Sequence, residues 1–212
     1  MKKYILLASA LFMGAFITQA QDKSFNINFI NLESGINLSQ FDFSTSELES
    51  AFKNGSFSPS QHQALSLGFN LNGDLNLHLG AAYDKYQVIG KSIDMTSSHL
   101  SYDLNYVSAS AGLEYSFPVK DKISLLANGA VTYNYLLSGF QNIGSSSYDL
   151  SDSDFEVNSY RVGTGILYKM TDATGIYLKY DWSKTMNMED ANDSFKLTSY
   201  VYSVGVRFNL GN

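Results

Sequence analysis

Eight charged side chains fall in one alternation phase of this sequence: Glu33, Asp84, Glu114, Arg161, Lys169, Lys179, Asp181 and Arg207. Acids and bases are balanced in the set. If the phase faces an enclosed interior, the charges must satisfy one another, because an unpaired buried charge is costly. The expected arrangement is an internal plug of ion pairs. The alternative is a narrow path for ions or small solutes through a polar lumen.

The other reactive side chains are few. His62, His78 and His99 are the only histidines. His78 falls in the inward phase, whereas His62 and His99 fall near the ends of their segments, where a lone histidine reads as a polar rim residue. Ser97 and Ser98 adjoin His99, but a nucleophilic triad is made by geometry and not by adjacency. Asp149, Asp152, Asp154 and Glu156 cluster in the stretch from Tyr148 to Glu156. Hard cations favour such oxygens. The stretch has no glycine at the bend and no glutamate at calcium-loop spacing, so it reads as a solvated acidic loop. Bridging by a divalent cation is the weaker reading. No phosphate-cradling loop, zinc spacing or cofactor motif is present, so no catalytic residue, cofactor site or metal site is expected.

The elements that must position these groups are strands. Seven times after residue 60, about ten residues carry apolar side chains at every second position. Leu75, Leu77, Leu79, Ala81 and Tyr83 form one row. Ile123, Leu125, Ala127, Val131, Tyr133 and Tyr135 form another. Eight main strands are predicted: 30–40, 62–71, 74–88, 102–117, 123–137, 158–169, 175–182 and 196–210. Phe25, Ile27 and Phe29 run in the phase opposite to Ile30, Leu32, Ile36 and Leu38, which predicts a bulge or a short leading strand between the two rows. Tyr102, Leu104 and Tyr106 oppose the phase of Val107 to Phe117, which predicts a slip near Tyr106. Three connections are short (72–74, 118–122, 170–174). Four are long (41–61, 89–101, 138–157, 183–195). Short turns on one rim and long loops on the other, with an even strand number, predict an all-β, eight-stranded antiparallel up-and-down transmembrane barrel.

The aromatic residues sort by strand end. Tyr83, Tyr133, Tyr135, Tyr160, Tyr180, Trp182, Tyr200 and Tyr202 fall at the long-loop ends, while Tyr115, Phe117, Tyr168 and Phe208 fall at the short-turn ends. Two such rings suit the two water–lipid boundaries. Gly68, Gly80, Gly112, Gly163, Gly165 and Gly205 leave room inside for long side chains.

The first 20 residues read as a cleaved signal peptide, with Lys2 and Lys3 before an apolar run from Ile5 to Ile17 and a small residue at Ala20. Residues 21–212 then form the barrel domain. Without Lys2 and Lys3 the 14 basic side chains become 12, against 20 acidic ones. Such a balance opposes nucleic-acid binding. The chain has no cysteine, so disulfides do not staple it.

The segment from Ser199 to Leu210 is similar to the closing strand of small outer-membrane barrels, and Glu33 to Phe41 is similar to an opening strand. The chain resembles the porin-family outer-membrane β-barrel proteins of Bacteroidetes-type bacteria, similar to the OmpX and OmpA transmembrane barrels. One departure is the ending Leu-Gly-Asn in place of a terminal aromatic, a role that falls to Phe208. The resemblance implies the outer membrane of a Gram-negative cell, reached by export. It implies outer-membrane lipid, lipopolysaccharide and the barrel-assembly machinery as partners, and a monomer. A structural or surface-interaction role follows, with adhesion or a ligand bound through the long loops and no catalysis. A small passive pore is the alternative. A lipid A-modifying esterase, which some resembling barrels are, is a third reading and needs a serine–histidine contact at the rim.

Overall fold

The computed structural model describes residues 27–43, 56–91, 99–150, 157–186 and 195–210. The expected signal segment, Phe25, Ser97, Ser98 and the acidic Asp152, Asp154 and Glu156 lie outside the described residues.

Ten strands are described: β1 (Ile27–Phe43), β2 (Ser56–Phe57), β3 (Pro59–Asn72), β4 (Leu75–Lys91), β5 (His99–Lys120), β6 (Ile123–Ile143), β7 (Ser146–Asp149), β8 (Val157–Lys169), β9 (Thr174–Thr185) and β10 (Phe195–Asn209). Eight of them close a barrel. β3, β4, β5, β6, β8, β9 and β10 follow one another in antiparallel pairs, and β1 joins β10 to β3. β2 pairs with β4 just past the start of β3, and β7 folds back on the end of β6 as a hairpin extension. Closure leaves the main wall without an edge, which hydrocarbon demands because it offers backbone groups no partner.

Local chemistry sets the turns. Gly73, at φ 55°, turns β3 into β4, and Gly144, at φ 60°, turns β6 into β7. Both adopt the left-handed conformation that glycine reaches without a Cβ clash. At the Met170–Ala173 turn, the backbone N–H groups of Met170 and Thr171 both donate to the Thr174 carbonyl.

Alternation sorts the wall by solvent. Leu32, Ile36, Leu65, Leu113, Val131, Val162, Ile166, Leu178 and Val204 all project outward and are exposed, with Leu178 at 62%. Their inward neighbours are mostly polar and buried: Asn31, Asn37, Ser66, Glu114, Thr132, Asp181 and Ser203. A water-soluble sandwich has the reverse arrangement. An apolar outer belt with a polar interior is the pattern of a barrel immersed in lipid.

The strands run longer than the sequence pattern predicts. β5 has 22 residues and β6 has 21, against the roughly 10 that a tilted strand needs to cross the hydrocarbon. The excess lies on the long-loop side, so β4, β5 and β6 rise above the lipid as a projecting wall. Here the sorting inverts. Tyr86, Val88, Tyr102, Leu104, Tyr106, Leu136, Val157 and Leu197 are buried together inside, with Leu150 packed against them. The outward residues at this level include Lys85 and Asp103, which form an ion pair at 2.9 Å. Outward Asn105 accepts from the Tyr83 hydroxyl and donates to Ser138.

One expectation of phase needs correction, and a second, the bulge in the first strand, is met. β5 does not slip near Tyr106: Tyr102, Leu104 and Tyr106 stay in the inward phase that continues through Ser108 to Glu114. The apolar residues change parity because the outside changes from lipid to water. The register shift at this height belongs to β6, where Asn105 pairs with Ser138 and Tyr106 with Leu136, leaving Leu137 over. The bulge in β1 falls between Ile27 and Phe29. It sends Ile27 outward and turns Phe29 into the lumen, where it is 4% exposed.

Candidate functional site

Polar side chains, most of them bonded to one another, fill the lumen. At its centre is His62, fully buried, whose Nδ1 lies 2.6 Å from Asp84 Oδ1 and whose Nε2 lies 3.1 Å from Glu33 Oε1. With a carboxylate on each side, a ring carrying a proton on both nitrogens satisfies both acceptors. Arg161 Nη2 lies 3.5 Å from the other oxygen of Asp84, which also accepts from the Ser108 hydroxyl at 3.3 Å. Lys179 Nζ bridges Glu33 at 3.4 Å and Asp181 at 3.1 Å. The Tyr177 hydroxyl donates to Glu33, and the Asn128 amide donates to Asp181. Glu33, Asp84 and Asp181 are thus offset by Lys179, Arg161 and the His62 ring.

A second group lies nearer the short turns. Arg207 Nη2 donates to Glu114 at 2.8 Å and its Nε donates to Asn31 at 2.9 Å. The guanidinium sits 3.8 Å from the centre of the Phe29 ring, a distance that suits cation–π attraction. His78 Nε2 lies 2.8 Å from the Ser66 hydroxyl and 3.3 Å from the Asn31 amide. Glycines make the room. A Cβ on Gly68 would strike the Phe29 ring, one on Gly205 the Tyr177 ring, and one on Gly163 the Asp181 carboxylate.

Of the eight charged residues singled out by parity, Glu33, Asp84, Arg161, Lys179 and Asp181 meet in the central group, and Glu114 pairs with Arg207. Lys169 stands apart. It is the last residue of β8, is half exposed and pairs with Asp172 in the turn at 2.9 Å. Asp172 is fully exposed, and its hydrogen bond and attraction to Lys169 hold its carboxyl below the usual range. The interior member that the sequence reading missed is His62. That reading begins the strand at position 62 and leaves the histidine on the rim, whereas β3 begins at Pro59 and turns His62 inward. The signal was its even number, shared with Ala64, Ser66 and Gly68.

The girdle residues all face outward. Tyr115 and Phe117 touch at 4.3 Å between ring centres on the short-turn side, and Tyr160 and Trp182 at 5.4 Å on the other. Tyr133, Tyr135, Tyr168, Tyr202 and Phe208 are exposed, and Tyr83, Tyr180 and Tyr200 are partly exposed. A cavity of 70 Å³ at the short-turn end reaches Arg207 past Lys122 and Ser124.

Comparison with known proteins gives a family. The family described as "Outer membrane protein beta-barrel domain" matches residues 8–208. Among curated proteins, none matches by sequence. Among solved structures, neisserial surface protein A is 16% identical, with 86% of this chain and 96% of that chain covered and a TM-score of 0.55. The outer membrane protein OprG from Pseudomonas aeruginosa is 14% identical, with 89% and 98% covered and a TM-score of 0.55. At these identities the likeness is one of fold.

Proposed function

The chain belongs to the outer-membrane protein β-barrel family, and from that premise we propose that it is a closed, non-conducting barrel that serves as a rigid frame for surface interaction. The observation that carries this reading is the continuity of the lumen filling. The Arg207–Glu114 pair, the His62 group and the apolar layer around Leu104 and Tyr106 follow one another along the interior. A pore requires a water-lined path, whereas here the charges are spent on one another. An eight-stranded barrel has an interior that side chains fill.

The projecting wall supports the second half of the proposal. A frame that holds its strands in register well beyond the lipid presents its connections at a fixed height, and loops so held are suited to recognition. Catalysis has little support. The serine–histidine contact among the described residues, Ser66 with His78, lies inside the wall near the short turns and away from the outer leaflet, where a lipid-modifying esterase must work.

Planar-bilayer recording on the refolded chain tests the closed reading. The expected trace has no resolved single-channel steps. Reproducible steps in the wild type, altered by Glu114→Gln, would replace the frame with the pore. For the surface role, cells lacking the projecting hairpin 139–150 are expected to lose adhesion while keeping the barrel in the membrane. Unchanged adhesion across host surfaces would remove that role.

A further inference from the structure

The outer face of the barrel differs between its two sides at the level of the long-loop girdle. On the β8–β10 side, Tyr160 and Trp182 meet edge to face, and Tyr180 stacks on Tyr200 at 6.5 Å while touching Tyr202 at 5.1 Å. Beside Tyr160, and one residue pair above Trp182 and Tyr200, stands Lys184. It projects outward between the buried Ser183 and Thr185, and is in register with Tyr160 on β8 and Thr198 on β10. Neither lateral neighbour is acidic, and the ion pairs of the described residues do not include Lys184. The opposite side also carries an outward lysine above its girdle tyrosine, Lys85, but Asp103 neutralises it at 2.9 Å. Lys196 stands higher on β10, two residues before Thr198 and in register with Asp42.

We propose that Lys184, with the aromatic shelf beside and beneath it, binds the phosphate of an outer-leaflet lipid headgroup. Aromatic side chains of this kind settle at the headgroup level of a bilayer. A cation one residue pair beyond Trp182 and Tyr200 therefore stands where headgroup phosphates lie, and no carboxylate of the described residues pairs with its ammonium. Its lateral neighbours in register, Thr198 and Tyr160, both carry hydroxyls. The apolar wall below, Leu178 and Val204, runs along the acyl chains. The site is independent of whether the lumen conducts.

The chain carries its own reporter, since Trp182 is its only tryptophan and forms part of the shelf. The full barrel is reconstituted in phosphatidylcholine vesicles containing a minor fraction of acyl-brominated lipid, either phosphatidic acid or phosphatidylcholine. Bromine quenches Trp182 only at close range. Brominated phosphatidic acid is expected to be enriched about fivefold at Trp182 over brominated phosphatidylcholine, the factor attached to one interfacial lysine. The preference should vanish in Lys184→Gln, persist in Lys184→Arg and persist in Lys85→Gln. It should also fall in the wild type as salt rises from about 0.1 M to about 1 M, where screening shortens to about 3 Å. Equal quenching by the two brominated lipids in the wild type would overturn the proposal, as would a preference retained in Lys184→Gln. Loss of preference in Lys85→Gln equal to that in Lys184→Gln would reduce the effect to net charge and overturn the site.

Discussion

The part of the wall that crosses lipid and the part that rises above it are built from the same strands, yet they sort their side chains in opposite ways. In the lower part, apolar groups such as Leu178 and Val204 face out and the charges of Glu114, Asp181 and Arg207 face in. In the upper part, Lys85 and Asp103 face out, while Leu104 and Tyr106 are buried inside. β5 passes through both zones without losing its phase. What changes is the outer solvent, and the interior becomes whatever the outside is not. The upper zone is stabilised as a water-soluble domain is, by burial of apolar surface. The lower zone gains nothing from such burial, since lipid is as apolar as its belt, and depends on satisfying polar groups inside.

The largest expected effect is in the ionic interior. Glu114→Ala leaves Arg207 charged and unpaired among buried groups, and should destabilise the barrel by about 3–5 kcal/mol, read by urea unfolding in lipid. Replacing both partners by apolar residues, Glu114→Leu with Arg207→Met, should recover most of that loss. A double variant no more stable than the single one would mean that the pair holds the lumen through geometry and not through charge balance.

Next in size is an arginine placed on the outer surface of each zone. Leu178→Arg sits between Ile176 and Tyr180 on the lipid face and should cost about 2–4 kcal/mol. Gln87→Arg occupies the same outward phase in the projecting zone and should change stability by less than about 0.5 kcal/mol. Equal costs at the two positions would place both in one solvent and erase the distinction between the zones.

The sequence made the lipid-crossing zone legible and the projecting zone much less so. Parity arguments work where one face must be apolar and the solvent is known. They found the belt, the inward charges and the long and short ends. In the projecting zone the same argument, run with the wrong solvent, read Tyr102, Leu104 and Tyr106 as a slip in β5. His62 was misread for a related reason: Pro59 does begin β3, three residues earlier than the apolar row suggests, and a strand end carries no periodicity of its own. Partner choice was beyond reach as well. Parity said that Lys169 and Lys179 share a phase, but only strand height sends one to the exposed turn and the other to Glu33 and Asp181.

A cavity in the apolar layer is expected to be milder than an orphaned charge. Leu104 is 1% exposed and lies among Tyr86, Tyr106 and Leu136. Leu104→Ala should cost about 2–3 kcal/mol, toward the low end for a buried leucine. Its distinguishing mark is location. Protection of backbone amides should fall in 99–106 and 136–143 while the lipid-crossing amides keep theirs, because the projecting zone has its own core. Uniform loss along the strands would show one cooperative unit.

The smallest effect belongs to the ion pair that looks most like the interior one. Lys169 and Asp172 approach to 2.9 Å, and Arg207 and Glu114 to 2.8 Å, but the first pair lies in water and the second is buried. The Lys169 hydrogen bond lowers the Asp172 pKa in the folded chain. Any stability it lends is therefore present above the ordinary aspartate range and fades as the pH falls through that lowered value. Solvent screening leaves little of it, since exposed pairs are held weakly and at an entropic cost. Asp172→Asn should thus leave the unfolding midpoint unchanged at neutral pH, with the same dependence on pH as the wild type between mildly acidic and neutral conditions. A clear drop at neutral pH that disappears on acidification would mean that distance, and not burial, sets the worth of a charge pair in this barrel.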